Sequence, residues 1–238
     1  LQLVHVAVWY CVGCKRPHTC CNERTCRPDP ARTGTPHAPE LAVLEGTQRI
    51  LSEASVAASD VSLVIHGTTL ATNALIERKG AKTALIATGG FRDSVEIAYE
   101  HRFEQYDLYM ERPSPLVPRH LRLTVAERLA ADGSVLLPLD EAAVHTLIPV
   151  LAEEQIEAVA IGFLHSYANQ AHEKRAAEIL AAALPDVAIT LSSDVCPEIR
   201  EYARMSTACA NAYVQPLMAG YIRRLESGLQ ELGLNCPL

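Results

Sequence analysis

Basic residues are in deficit in this chain. Lys and Arg number 21 against 28 Asp and Glu, a formal net charge of -7. No positive excess is left to neutralise phosphates, which argues against nucleic acid as a partner. Long apolar runs are also missing. None approaches the roughly 20 residues a membrane helix needs. The apolar opening LQLVHVAVWYCVGC has neither a basic flank nor a clear cleavage site, so it does not read as a signal peptide. There is no G-x-x-x-x-G-K-[ST] phosphate loop, no G-x-S-x-G nucleophile elbow and no sign of a Ser-His-Asp triad. His101, His145, His165 and His172 have no ligand spacing among them, so no metal site is read from them. Aromatics make up only 5%, but 49% of the 238 residues are hydrophobic and 21% charged. That is an ordinary soluble composition, incompatible with wholesale disorder and long enough for one large or two small domains.

Eight cysteines are present, and five of them crowd the start: Cys11, Cys14, Cys20, Cys21 and Cys26. With His18 they raise the possibility of zinc, but adjacent Cys20 and Cys21 chelate poorly as a second ligand pair. Cys196, Cys209 and Cys236 are scattered singly, which points to a reducing, cytoplasmic setting. A composition break falls near residues 30–40. The text before it, from Cys11 on, is dense in Cys, Arg, Pro, Thr and His and shows no helical or strand period. The reading is therefore a poorly ordered head over residues 1–35 and a regular domain over 36–238.

After the break, ELAVLEGTQRILSEA has helical spacing and VSLVIHG reads as a buried strand. TTLATNALIERKG follows as a helix ended by Gly80, with Thr68 or Thr69 as its cap. KTALIATGG is a second buried strand, and the two strands with the helix between them suggest a βαβ unit. Residues 121–140 read as a hairpin turning at Asp132-Gly133, and Asp140 caps the next helix. IEAVAIGF and VAITL are further strands separated by an amphipathic helix, and a long helical region with Pro216 inside closes the chain.

Three segments can carry chemistry. His66, Gly67, Thr68 and Thr69 sit where a strand gives way to a helix, a place suited to phosphate or carboxylate. Here capping by Thr68 and a core role for His66 are the plainer alternative. In TGGFRD the glycine pair can form an anion nest, with Arg92 gripping a carboxylate and Asp93 orienting it. A tight turn with a surface ion pair explains the same residues. In CPEIREYARMSTACANAY, helical spacing sets Glu198 beside Tyr202, Arg200 beside Arg204 and Thr207 beside Asn211. These line a cleft or a solvated face.

Together, VIHGTTLATNALIERKGAKTALIATGGFRDSVEIAYE, FLHSYANQAHEKRAAEIL and LSSDVCPEIREYARMSTACANAYVQPLMAGYI closely resemble the hydantoinase/oxoprolinase family over about residues 36 to 238. The resemblance implies an α/β, actin-like (ribonuclease-H-like) nucleotidase fold with mixed sheets and flanking helices. It implies Mg-ATP as cofactor and phosphorylation of an amide or carbonyl oxygen, followed by hydrolysis of a cyclic amide of the hydantoin or 5-oxoproline type. It also implies a B-type partner subunit or fused C-terminal domain, and leaves homo-oligomers open. Residues matching the family's motifs are His66 to Thr69, Asn73, Arg92 and the helix bearing Tyr202, Thr207 and Asn211. The working assignment sets Thr68 and Thr69 near phosphate or substrate, and Arg92, Glu198 and Arg204 along the cleft. The family's Asp-x-Gly-Gly-Thr-x-Thr-Asp loop is not in this sequence, and its pattern runs on past residue 238. The expectation is thus a fragment, inactive alone, with a head translated out of frame. A non-catalytic scaffold subunit and a ketone carboxylase subunit are the alternatives.

Overall fold

A computed structural model of the chain describes residues 4–11, 16–20, 38–99, 106–111 and 113–238, with side chains from residue 38 onward. The cysteines and His18 of the possible zinc cluster therefore lie outside the described side chains. The chain forms two compact units, Leu1–Lys79 with Leu217–Leu238, and Gly80–Pro216.

The first unit contains strands β1 (Val4–Cys11) and β2 (Arg16–Cys20), helix α1 (Pro39–Ala54), strand β3 (Val61–Gly67) and helix α2 (Leu70–Ile76). Its sheet has the order β2-β1-β3, with β1 parallel to β3 and antiparallel to β2. β2 falls in text where the sequence shows no strand period. Pro39 starts α1, where a missing N–H costs nothing, and Ser55 ends it in the left-handed region at φ 52°. Val43, Thr47 and Ile50 recur at helical spacing and form its buried face. Val43 packs with Val61 and Val64 of β3 and with Tyr221, Leu225, Leu229 and Leu234 near the chain's end. β3 is only half-buried: Ile65 is 51% exposed. α2 stops at Ile76, four residues before Gly80, because Arg78 turns left-handed at φ 55°.

The second unit is built on four parallel strands: β4 (Thr83–Thr88), β5 (Arg122–Val125), β8 (Ala158–Gly162) and β9 (Ala188–Leu191). Between them run α3 (Ser94–Ile97), the hairpin β6 (Arg128–Leu129) and β7 (Val135–Leu137), α4 (Glu141–Glu153) and α5 (Ala171–Ala183). Helices α6 (Ser192–Val195) and α7 (Glu201–Glu231) follow β9. The sheet order is β5-β4-β8-β9. Every residue of β4 and β8 is buried, as central strands covered on both faces require. Asp140 caps α4 as expected, its carboxylate accepting the Ala143 N–H at 2.9 Å. Met205, Ala208, Cys209 and Ala212 form a helical stripe of α7 in the same core as β4 and β8. Gly162 permits that approach, since a Cβ there would lie 2.7 Å from Met205 Cγ.

Three expectations need correction. The strands over 61–67 and 83–88 do not form a βαβ unit, because they belong to different sheets. β4 has β5 and β8 on its two sides, so β3 instead pairs with β1 from the head. The hairpin at Asp132-Gly133 exists, but it uses Arg128–Leu129, while Arg122–Val125 lies parallel to β4. Finally, Glu198 and Arg200 precede α7, so their four-residue pairings with Tyr202 and Arg204 do not arise on a helix.

Candidate functional site

After β4 the chain moves outward to β5, then returns to lay β8 on the other side of β4 before adding β9. The order reverses between β4 and β8, and open parallel sheets bind ligands outside the carboxyl ends of strands at such a switch point. The segments leaving those ends are tied together by buried polar groups. Thr88, the last residue of β4, donates its hydroxyl to Glu127 and accepts the Leu164 N–H at 2.9 Å. Glu127 also meets His172 Nδ1 at 2.8 Å. The fully buried Glu173 carboxylate accepts from Phe163 N–H (2.9 Å), Ser192 Oγ (2.6 Å), Ser193 N–H (3.0 Å) and Ser193 Oγ (2.6 Å). A buried carboxylate satisfied on both oxygens is a rigid anchor, because each lost partner leaves a desolvated polar group.

Just past the end of β4 lies a cavity of about 370 Å³ lined by Gly90, Phe91, Asp93, Ser94, Ile97, Ala98, Tyr99, Arg200, Glu201 and Tyr202. Gly90, at φ +89°, makes the turn out of β4, and the Phe91 N–H closes it on the Thr88 carbonyl at 2.9 Å. Tyr99 and Tyr202 meet edge to face, with ring centroids 4.8 Å apart and planes at 82°. The Arg200 guanidinium lies 5.9 Å from the Tyr99 ring centre. Asp93 is held by Arg119 through two bonds of 3.1 and 3.0 Å, and that hydrogen bonding lowers its pKa below the usual aspartate value. The cavity therefore joins aromatic walls to a fixed carboxylate and a guanidinium.

Of the residues singled out in the sequence, Asp93 and Tyr202 meet in this cavity. Arg92 lies instead on a second cavity with Arg119 and Arg122. Arg204 is fully buried and donates to the carbonyls of Glu198 (2.5 Å), Ile199 (3.3 Å) and Phe163 (3.0 Å). Burial lowers its pKa, opposed by the Glu173 carboxylate. It fixes the segment entering α7 to the end of β8. Glu198 contributes its carbonyl to that arrangement, and its side chain is exposed. Thr207 is exposed, and Asn211 donates to Thr190 Oγ1 at 3.1 Å. His66, Gly67, Thr68, Thr69 and Asn73 belong to the first unit. There Tyr221 meets His66 Nε2 at 2.7 Å, and Thr68 Oγ1 accepts the Leu70 N–H at 3.2 Å. Thr69 and Asn73 take part in the backbone of α2, the Asn73 N–H bonding the Thr69 carbonyl at 2.9 Å. Among the described residues no group of three or more His, Cys, Asp or Glu side chains is arranged for a metal ion.

Sequence reasoning missed Glu127, His172, Glu173, Ser192 and Ser193. One signal was available: positions 172, 176 and 180 share a face of α5, and Ala176 and Leu180 are apolar and buried.

A family model for the hydantoinase/oxoprolinase N-terminal region matches residues 29–184. The chain belongs to the hydantoinase/oxoprolinase family. Caprolactamase subunit alpha of Pseudomonas jessenii is 44% identical over 210 residues, covering 85% of this chain and 30% of that protein. The crystal structure of ATP-dependent caprolactamase from Pseudomonas jessenii superposes with a TM-score of 0.84 at 38% identity, over 96% of this chain and 34% of that one. A nucleotide-free acetone carboxylase structure matches at TM-score 0.80 and 21% identity, over 98% of this chain and 34% of that one, and so shares the fold. This member of the hydantoinase/oxoprolinase family thus has the expected α/β, actin-like architecture, and it spans about a third of the length of the relatives it matches. Among its described residues no helix is long and apolar enough to cross a membrane.

Proposed function

We propose that this chain is the N-terminal, substrate-side portion of an ATP-dependent enzyme that opens a cyclic amide, and that the Tyr99–Tyr202 cavity holds the ring. The observation carrying this reading is the edge-to-face tyrosine pair beside the Gly90 turn at the sheet's switch point. At about 370 Å³ the cavity sits at the small end of the roughly 300–1,000 Å³ typical of ligand pockets, which suits a single small ring. The methylenes of a lactam pack against Phe91, Tyr99 and Tyr202, its N–H faces the Asp93 carboxylate, and its carbonyl oxygen faces Arg200. The resemblance to a protein named caprolactamase supports a lactam as substrate class. The domain in this reading is residues 36–238.

ATP, where it binds, supplies a phosphoryl group that turns the amide oxygen into a better leaving group. In this reading the described HGTT turn is not the cradle of the triphosphate. The Leu70 N–H, one of the turn's backbone donors, is taken by Thr68 Oγ1, and α2 has only seven residues. The turn is therefore assigned no part in phosphoryl transfer, and Mg-ATP is expected to leave its Gly67 and Thr69 amides unshifted. The relative's designation as a subunit supports a second, B-type subunit as partner. The unbridged Cys196, Cys209 and Cys236 support a reducing, cytoplasmic setting.

Titrating caprolactam, hydantoin and 5-oxoproline into the 15N-labelled chain tests the cavity. At least one ring should shift Gly90 and Ser94 amides saturably, and Tyr202→Ala should weaken that binding at least ten-fold. Equal affinity in the variant would remove the cavity from consideration, and saturable Mg-ATP shifts of the Gly67 and Thr69 amides would overturn the view of the HGTT turn.

A further inference from the structure

Beside the ring cavity, and wholly within the second unit, lies a larger one of about 550 Å³ lined by Arg92, Arg119, His120, Arg122 and Thr124 with Leu123 and Leu147. No feature of the proposed lactam chemistry uses it. Among the described residues, its three guanidinium groups pair with two carboxylates, Asp93 and Glu96. Arg122 is the fixed element, with a side chain only 2% exposed. Its Nε donates to the Val117 carbonyl at 3.0 Å, and Nη1 reaches Glu96 at 2.5 Å and Asp93 at 3.4 Å. Its Nη2 has no protein partner among the described residues. Arg92 approaches Asp93 only at 3.7 Å, too far for a hydrogen bond, so its donors are also unused. Asp93 itself shows what the cluster accepts, since Arg119 grips both its oxygens in the fork geometry guanidinium makes with carboxylate and phosphate.

We propose that this cavity is a binding site for a small molecule bearing an oxyanion, phosphate or carboxylate, held by Arg92, Arg119 and Arg122. Arg122 Nη2 and Arg92 supply the unused donors, and Arg119 adds its charge at the rim. Leu123 and Leu147 give the site an apolar wall, so it also accommodates the carbon frame of an organic anion. Asp93 lines the ring cavity and pairs with the Arg119 of this one, so an anion that draws Arg119 away alters the carboxylate facing the ring. That coupling rests on the proposed function, whereas the anion site itself does not.

The test is calorimetry on the full chain with inorganic phosphate and with malonate, at constant ionic strength set by chloride and with no lactam present. Saturable binding of either supports the site, and the tighter of the two identifies the anion's chemistry. Arg92→Gln, at a half-exposed position, should weaken binding at least ten-fold. Arg175→Gln, which removes an exposed arginine paired with Glu141 and Glu178, should leave it unchanged. No saturable binding of either anion overturns the proposal, as does equal weakening by the two variants or an unaltered affinity in Arg92→Gln. Because no lactam is present, a failed ring cavity and a failed anion site give separate results.

Discussion

Glu173 illustrates how much one side chain can be asked to hold. Its two oxygens satisfy four donors, one from the loop after β8 and three from the start of α6, and the side chain is fully buried. Hydrogen bonds to a charged group contribute about 1.5–3 kcal/mol each in favourable cases, and an orphaned buried donor costs about 1–3 kcal/mol. Glu173→Ala should therefore destabilise the chain by about 3 kcal/mol or more, read as a lower urea midpoint. A loss under about 1 kcal/mol would mean that water replaces the carboxylate and that the anchor is dispensable. The exposed Glu178, five positions on, serves as control: Glu178→Ala removes one surface pair with Arg175 and should change stability by no more than about 1 kcal/mol.

Among the elements, β8 and α7 depend on each other through a single missing side chain. A Cβ at Gly162 would sit 2.7 Å from Met205 Cγ, so Gly162→Ala should cost about 1–3 kcal/mol by overpacking. The same substitution should cost clearly less in a Met205→Ala background, where the obstructing atom is gone. Additive costs in that double-mutant cycle would show that the two residues do not press on one another. Elements of this kind were largely legible in the sequence. Both central strands, α1, α5 and the Asp140 cap followed from periodicity and capping chemistry, because buried strands and amphipathic helices write their surroundings into apolar spacing. Pairing was less legible. VSLVIHG looks equally ready to join either sheet, and its true neighbour is a strand of the head. The site was legible in part. Asp93 and Tyr202 stood out by type and meet in one cavity, whereas Arg204 stood out as a cleft residue and is occupied with backbone carbonyls. Residue type alone does not tell an arginine that waits for a ligand from one that closes a loop.

At the level of the whole molecule, the hydrophobic core around β4 and β8 draws all its residues from the Gly80–Pro216 unit. So do the ring cavity, the arginine cavity and the Glu173 anchor. Residues 80–216 expressed alone should therefore unfold cooperatively and keep slow amide exchange in β4 and β8. Loss of that protection would show that the unit needs the rest of the chain to fold.

The pairing of β4 with β8 also sets a schedule for synthesis. Leu85 lies opposite Ala160, and β4 is apolar on both faces. At about 5–20 residues per second, the ribosome needs on the order of 4–15 s after making the first strand to deliver the second. During that interval Thr83–Thr88 is a sticky ribbon without its central neighbour, and the nascent chain is then at its greatest need of a chaperone.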